Sequence, residues 1–180
     1  MVKAWYLNTD EVLKNQKNAG LTDKCVTLDQ LRDIGVEYFH FDSENYENNH
    51  DYKQLRTSRG YTYNDLITIT RKLLPNYDAK VKSFFEEHIH TDEEIRYILD
   101  GSGYFDVRDK KDRWIRIEIV KNDLLILPAG IYHRFTLDHK DYIKVQRLFV
   151  GEPVWTPHNR PADNMQERQK YVSQFGILAN

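Results

Sequence analysis

Between residues 88 and 150 the chain is a succession of short β-rich runs, each ended by a turn-forming cluster. The runs are EIRYILD, GYFDVRD, RWIRIEIV, LLILP, YHRFTLD and YIKVQRLFV, and the clusters between them are GSG, KKD, KND, PAG and DHKD. Several short strands at this spacing are typical of an antiparallel sandwich or barrel. The pattern therefore predicts a mainly β fold in which strands distant in sequence face one another across a core.

Residues 1–87 predict a mixture of strands and helices around that core. VKAWYL and VEYFHFD alternate like short strands, and DLITITRKLL is compatible with either a strand or a helix. Thr27 and Gln30 form the capping box of a short helix that ends at Gly35. In the polar stretch SENYENNHDYKQLRTSRG we expect a loop and a short helix that Gly60 ends.

An amphipathic helix is predicted immediately before residue 88. Its apolar positions follow the spacing i, i+4, i+7 and i+8, namely Tyr77, Val81, Phe84 and Phe85. After the β-rich core, EPVWTPHNRPAD predicts a loop and NMQERQKYVSQF a final helix. We therefore expect one domain over 1–180, with a mixed N-terminal part at 1–87, the barrel core at 88–150 and a C-terminal loop and helix at 151–180.

Composition excludes several classes of protein. The chain has 180 residues, 40% of them hydrophobic and 30% charged, as is usual for a globular domain. A formal net charge of −2 without a basic stripe argues against a nucleic-acid partner. A single cysteine, Cys25, rules out an internal disulfide and a cysteine-based zinc site. No run approaches the ~20 apolar residues that span a bilayer, so we expect a cytosolic protein.

The stretch HIHTDEE contains a candidate half of a metal site. Side chains alternate along a strand, so His88 and His90 lie on one face. The same parity favours Asp92 or Glu94 over Glu93 as a carboxylate ligand. Glu94 is the better candidate, because Asp92 follows His90 too closely to reach the same ion and a bend at 91–92 brings Glu94 back. On its own, however, an HxH pattern is more often an exposed alternation followed by a solvated acidic turn.

A third histidine strengthens the metal hypothesis. His133, in LPAGIYHRF, follows a Pro-x-Gly turn at the start of another strand, which can face the first across a barrel. Three imidazoles and one carboxylate leave two adjacent positions open in an octahedral shell. This donor set suits Fe(II), Ni(II), Mn(II) or Co(II) better than a closed structural zinc.

Two arginines share the strand faces on which the site is expected. Arg96 has the parity of Glu94, and Arg147 alternates with apolar residues of YIKVQRLFV. An arginine on an apolar face needs an anionic partner, which is either a structural carboxylate or an anionic substrate. By spacing, Phe84 and Phe135 are candidates for a pocket wall, although an aromatic side chain in phase with a core is more often core alone.

Two motifs resemble those of the cupin superfamily. H-x-H-x3-E-x6-G, here His88, His90, Glu94 and Gly101, is similar to the first cupin motif, and P-x-G-x2-H, which ends at His133, is similar to the second. The resemblance implies a cupin-type double-stranded β-helix, a jelly-roll barrel. Departures from the usual pattern are Lys82 and Asn122 in place of glycine and Leu137 in place of asparagine.

A more specific resemblance covers nearly the whole chain. FFEEHIHTDEEIRYILDGSGYFDVRD, LPAGIYHRFTLD and RLFVGEPVWTPHNRPAD look like acireductone dioxygenases of the animal type, as do MVKAWYL and LPNYDAK. This implies cleavage of 1,2-dihydroxy-3-oxo-5-methylthiopentene by O2 in methionine salvage. In that family Fe(II) gives formate and 4-methylthio-2-oxobutanoate, whereas Ni(II) gives formate, carbon monoxide and 3-methylthiopropanoate.

The resemblance also implies roles for individual residues. The family's metal ligands fall on His88, His90, Glu94 and His133. Its catalytic and substrate-pocket residues fall on Arg96, Arg147, Phe84, Phe135 and Trp155. Iron or nickel is then the cofactor, and we expect a monomer that acts on a small molecule. Animal members further suggest a moonlighting protein partner at the cytoplasmic face of the plasma membrane, or a nuclear pool.

Two other functions are compatible with the residues alone. One is another cupin dioxygenase or isomerase that acts on a small anionic metabolite. The other is a non-catalytic cupin module that binds a protein partner, which would have no need of a full ligand set and two inward-facing arginines. Metal content and acireductone-dependent O2 uptake distinguish these alternatives.

Overall fold

The computed structural model describes residues 2–176, which form ten strands and five helices. The strands are β1 Lys3–Tyr6, β2 Glu37–His40, β3 Tyr63–Ile69, β4 His88–Ile89, β5 Glu94–Arg108, β6 Trp114–Val120, β7 Asp123–Leu127, β8 His133–Leu137, β9 Ile143–Phe149 and β10 His158–Asn159. The helices are α1 Thr9–Lys14, α2 Leu28–Arg32, α3 His50–Arg59, α4 Tyr77–Phe85 and α5 Gln166–Phe175. Within this part of the chain, no helix has the length and apolarity to cross a membrane.

All the strands pair antiparallel and build two sheets that share β5. One sheet has the order β1-β6-β5-β8-β4-β10, and the other has the order β2-β7-β5-β9-β3. Buried side chains of both sheets form one hydrophobic cluster, to which β5, β6, β7, β8 and β9 all contribute. The fold is thus mainly β with flanking helices, as the succession of short runs predicts.

Strand β5 joins the two sheets because it bends in its middle. The sequence predicts two strands, EIRYILD and GYFDVRD, separated by a turn at GSG. The structure instead has one strand of 15 residues, whose first half pairs with β7 and β9 and whose second half pairs with β6 and β8. The register shifts between Ile98 and Asp100, and Gly101 follows with φ 77°. A side chain at Gly101 would collide with the carbonyl oxygen of Tyr142, so the bend requires glycine.

The N-terminal part adds strands to the outer edges of both sheets. β1 pairs with β6, β2 with β7 and β3 with β9. The capping box of Thr27 and Gln30 is present in both directions at the start of α2, and Gly60 ends α3 in a left-handed conformation. These predictions are confirmed, and the ambiguous DLITITRKLL contains β3, a strand.

Helix α4 delivers the chain to the candidate site. Tyr77 and Val81 are its buried residues and belong to the main core, and Phe84 packs against the same core. The helix ends at Phe85, and β4 begins at His88 after two extended residues. The predicted amphipathic helix is therefore confirmed, and its packing fixes the position from which the HIHTDEE stretch starts.

Candidate metal centre and its cavity

Three strands begin with the side chains of the candidate metal centre. His88, Glu94 and His133 are the first residues of β4, β5 and β8, and His90 directly follows β4. His88 and His133 are register partners across the sheet. One ligand atom from each of the four residues lies within 4.8 Å of the others. The fold thus brings three imidazoles and one carboxylate around a common point.

Among the three consecutive acids, only Glu94 faces the histidines. Its Oε2 atom lies 3.0 Å from His133 Nε2 and 3.1 Å from His90 Nε2. The chain bends at Thr91 and Asp92, and Asp92 is exposed to solvent. Glu93 points elsewhere and accepts a hydrogen bond of 2.8 Å from the Tyr61 hydroxyl. The bend at 91–92 is therefore what returns Glu94 to the cluster.

Backbone carbonyls orient all three imidazoles. His88 Nδ1 lies 2.6 Å from the Glu86 carbonyl oxygen and His133 Nδ1 lies 2.9 Å from that of Ile131. His90 Nδ1 lies 3.0 Å from the Thr156 carbonyl oxygen. Because a carbonyl only accepts, each Nδ1 carries a proton, and Nε2 is the nitrogen that each ring directs at the cluster and offers to a cation. This is the usual arrangement around a metal-binding histidine.

Burial and neighbouring charges shift the pKa values of His88 and Glu94 toward the forms that bind a cation, whereas the pKa of His90 shifts the other way. Burial, followed by the nearby His133, lowers the pKa of His88 to about 3. Burial opposes the charge of Glu94, but the Arg96 guanidinium and the hydrogen bonds from His133 and His90 outweigh it and hold the pKa of Glu94 well below its usual value. Burial also lowers the pKa of His90, but the hydrogen bond and charge of Glu94 outweigh this effect and raise it. A metal requires neutral imidazoles and an ionised carboxylate, so His88 and Glu94 are already in the required state, and a bound cation would compete with a proton at His90.

The donor chemistry fits a divalent transition metal. Imidazole nitrogens suit iron, nickel and zinc, and the hard carboxylate oxygen favours a mixed nitrogen and oxygen shell. Glu94 and His133 are 9% and 2% exposed, so water competes little for their ligand atoms. The four side chains can therefore hold one ion.

The two predicted arginines are neighbours on adjacent strands and differ in their partners. Arg96 and Arg147 are register partners between β5 and β9. Arg147 forms two bonds with Asp65, at 2.7 and 2.5 Å, so the structural ion pair considered from the sequence is present. Arg96 Nη2 lies 3.2 Å from Glu94 Oε1. Both guanidinium groups lie over the Trp155 ring, at 5.5 Å for Arg96 and 4.2 Å for Arg147.

The centre opens into a cavity of about 370 Å³ between the two sheets. All nine residues singled out from the sequence line it, together with further side chains that are mostly apolar: Ile67, Ile69, Lys80, Ser83, Ile98, Phe105, Ile119, Val145 and Pro157. The histidines, Glu94 and the arginines make a polar wall, and isoleucine, valine and aromatic side chains make most of the remainder. Such a cavity suits a small ligand with one charged end and one apolar end.

The predicted pocket aromatics pack into the wall and against one another. The Phe135 ring lies 5.1 Å from Phe105 and 6.3 Å from Phe84. Trp155 packs against Phe149 at 5.5 Å. The structure thus places Phe84, Phe135 and Trp155 on the same cavity.

Sequence reasoning missed part of this wall. Ile98 has the parity of Glu94 and Arg96, and Val145 has that of Arg147, so strand alternation alone could have identified them. Asp65 and the Thr156 carbonyl carry no such signal, because their partners are distant in the chain.

The other four histidines lie outside the cluster. His40 Nδ1 is 3.3 Å from Asp123 Oδ1, and His50 is largely exposed beside Asp51. His139 is exposed in the turn after β8, and His158 lies in β10. Over residues 2–176, the grouping that could hold a metal consists of His88 and its three neighbours described above.

Known proteins are similar to this chain over nearly its whole length. The ARD/ARD′ family matches residues 3–157. The chain is 60% identical to the acireductone dioxygenase of Ciona intestinalis, over 97% of each protein, and 56% identical to that of Rattus norvegicus, over 96% of each. It is 51% identical to acireductone dioxygenase 2 of Arabidopsis thaliana, over 100% of this chain and 94% of the relative.

A solved structure is also similar. The acireductone dioxygenase from Bacillus anthracis, with a cadmium ion in its active centre, superimposes with a TM-score of 0.67 at 24% identity, over 87% of this chain and 97% of that one. The likeness confirms the expected cupin-type fold.

Proposed function

The chain belongs to the ARD/ARD′ family, and from this premise we propose that it is a metal-dependent acireductone dioxygenase. It would cleave 1,2-dihydroxy-3-oxo-5-methylthiopentene with O2 in the salvage of methionine. The observation that carries the proposal is the cluster of His88, His90, Glu94 and His133 on the wall of a cavity that is charged on one side and apolar on the other.

Those four residues would hold the metal, which we take to be Fe(II), with Ni(II) as the alternative. When bound, the ion supplies the Lewis acidity that stabilises a deprotonated enediol. The chain keeps the three Nε2 lone pairs and the Glu94 carboxylate aimed at one point by means of the carbonyl contacts at each Nδ1. Because these contacts are fixed before the ion binds, little reorganisation is required.

Arg96 is the residue that we assign to the oxygens of the substrate. Its guanidinium lies on the cavity wall beside Glu94, where a low dielectric strengthens its attraction for an anion. Arg147 adds a second positive group on the adjacent strand and is held in place by Asp65. Trp155 covers both guanidinium groups and limits their access to water.

The apolar wall would bind the methylthio tail. Phe84 and Phe135 lie closest in the chain to the ligand residues His88 and His133, and Ile98 and Val145 extend the wall between the two sheets. Burial of the tail against these side chains orients the substrate and keeps bulk water from the reacting carbons.

Separate loading with each metal tests this function. The purified apoprotein is supplied anaerobically with Fe(II) or Ni(II), and then with the acireductone and O2. We expect O2 uptake with both metals, formate and 4-methylthio-2-oxobutanoate from the iron form, and formate, carbon monoxide and 3-methylthiopropanoate from the nickel form. Identical products would contradict metal-controlled cleavage, and absence of uptake with either metal would contradict the proposed activity.

Replacement of one histidine tests the ligand assignment. His90→Ala removes one of the four donors and should abolish metal retention on desalting, as measured by elemental analysis. His139→Ala, which removes an exposed imidazole in the turn after β8, is the matched control and should retain the metal. Full occupancy of the His90 variant would refute the assignment.

Location and assembly follow from the same proposal. We propose a cytosolic enzyme that works as a monomer on a small molecule and has no nucleic-acid partner. The modest net charge of −2 supports the absence of a nucleic-acid partner, and the unpaired Cys25 supports a reducing compartment. Gel filtration of the metal-loaded protein measures the oligomeric state directly.

A further inference from the structure

Residues 155–160, which we call the strap, follow the last long strand, β9, and contribute a side chain and a backbone carbonyl to the site. The Trp155 ring lies over both arginines, and the Thr156 carbonyl oxygen accepts from His90 Nδ1 at 3.0 Å. The strap then runs antiparallel to β4, where His158 and Asn159 form the two-residue strand β10. Its position therefore affects both the metal ligands and the arginine wall.

His90 depends on the strap in a way that the other two histidines do not. The carbonyls that orient His88 and His133 belong to Glu86 and Ile131, two residues earlier in the same segment. The carbonyl that orients His90 lies 66 residues away along the chain. If the strap shifts, His90 loses the contact that keeps its Nε2 directed at the cluster.

Arg160, at the end of the strap, ties it to the rest of the protein. Its side chain bonds Glu87 Oε1 at 2.7 Å and both oxygens of Asp112, at 2.8 and 3.0 Å. Its backbone N–H donates to the Glu87 carbonyl at 3.0 Å, and its guanidinium lies 4.7 Å over the Tyr132 ring. Arg108 also pairs with Glu87, through two bonds of 2.9 Å. The strap is thus anchored to the residues that precede His88 and His133.

We propose that Arg160 is a positioning residue for the metal centre: it holds the strap so that the Thr156 carbonyl orients His90 and Trp155 covers the arginine wall. This inference rests on the proposed function, since it assumes that His90 is a ligand. Arg160 touches neither the cavity nor the substrate and acts only through the strap. Bidentate, partly buried ion pairs of this kind are the strong ones, in contrast to single pairs on an open surface.

The test uses variants that release the strap without touching a ligand. Arg160→Gln removes the charge, and Asp112→Asn removes its bidentate partner; asparagine readily adopts the positive φ of 59° found at this position. Arg160→Lys keeps the charge but cannot form two parallel hydrogen bonds with the carboxylate of Asp112. The matched control is Arg71→Gln, because Arg71 also bonds a carboxylate twice, at 2.9 Å, and lies 4.6 Å over a tyrosine ring, but is distant from the strap in the chain.

Two measurements on the metal-free protein and one titration provide the readout. Hydrogen exchange of peptide 153–163 reports release of the strap, and ¹⁵N chemical shifts of the histidine rings report the tautomer of His90. Titration with Ni(II) against a competing chelator gives the metal affinity without any turnover. Loss of a group that orients a metal ligand typically costs 10- to 100-fold in affinity.

We expect Arg160→Gln and Asp112→Asn each to accelerate exchange of the strap and to weaken Ni(II) binding about tenfold, the low end of that range because the effect is indirect. The double variant should bind Ni(II) no more weakly than either single variant. The Ni(II) affinity of Arg160→Lys should lie between that of Arg160→Gln and that of the wild type, and the affinity of Arg71→Gln should equal that of the wild type. Unchanged Ni(II) affinity in both strap variants, with a wild type that binds one ion, would overturn the positioning role. A wild type that binds no ion would overturn the proposed function itself.

Discussion

Replacement of Arg96 by methionine distinguishes a role of this residue in the reaction of the substrate from a role in metal binding. Methionine fills most of the same volume but removes the guanidinium that lies 3.2 Å from Glu94 Oε1 on the cavity wall. Removal of one donor aimed at a developing oxyanion costs about 10²- to 10³-fold in kcat. We therefore expect kcat to fall by about 100-fold, which corresponds to about 2.7 kcal/mol.

Metal affinity should change in the opposite direction. The Arg96 guanidinium repels a cation held by Glu94, and it competes for the same carboxylate. In a buried site such repulsion is screened weakly, so its removal favours the ion. The methionine variant should therefore bind Ni(II) at least as tightly as the wild type while it turns over far more slowly.

Arg147→Met is the comparison that makes this result specific. Arg147 forms two bonds with Asp65, and those hydrogen bonds lower the pKa of Asp65 despite partial burial. Because the folded-state pKa is depressed, this stabilisation is present above about pH 4 and is lost as the pH falls through the lowered value. The variant should lose about 1 kcal/mol of stability at neutral pH, since the pair is partly exposed and screened.

The assay combines steady-state O2 uptake, metal analysis of each sample and urea denaturation. We expect Arg96→Met to be defective in kcat at full metal occupancy, where a bound cation compensates the charge of Glu94 that Arg96 otherwise offsets. A loss of activity that merely follows loss of metal would show that Arg96 serves the metal site. A kcat within threefold of the wild type would refute its assignment to the substrate.

Two further predictions concern buried polar groups outside the cavity. In the interior, the Asp106 carboxylate accepts hydrogen bonds from both Arg116 and Arg134. Asp106→Asn removes the negative charge that pairs with these two buried guanidinium groups. The free energy of unfolding, measured in urea, should therefore fall by about 3–5 kcal/mol. Tyr52→Phe removes the hydroxyl that donates to the buried Gln146 side chain and should cost about 1–3 kcal/mol, with kcat unchanged in O2 uptake.

The part of the candidate site in HIHTDEE was predictable from the sequence because its information is local. Strand parity groups His88 and His90 with Asp92 or Glu94, and the short distance along the chain from His90 to Asp92 then favours Glu94. The same alternation places Arg96 on the Glu94 face, where the structure has it. A period of two residues survives in a twisted sheet, so a face assigned in the sequence stays a face in the fold.

Predictions of turns were less secure, because a turn residue does not say whether the chain reverses or merely bends. GSG reads as a turn between two strands, yet β5 only bends there, with a register shift between Ile98 and Asp100 and a positive φ at Gly101. Asn122 departs from the glycine that the cupin motif usually has there, but its φ of 80° is the left-handed conformation that asparagine tolerates best after glycine. Asn122 therefore adopts here a backbone conformation that glycine also favours.

Long-range contacts of side chains lay beyond the reach of sequence reasoning. Asp65 meets Arg147 across 82 residues, and the Thr156 carbonyl meets His90 across 66. Neither contact has a periodic signal, since each depends on how a separate segment docks. The local strands thus bring the ligands together, whereas the docked segments set the partners that orient them. Variants in Arg160 or Asp65 should therefore alter the orientation of side chains in the site, although they replace none of its four candidate ligands.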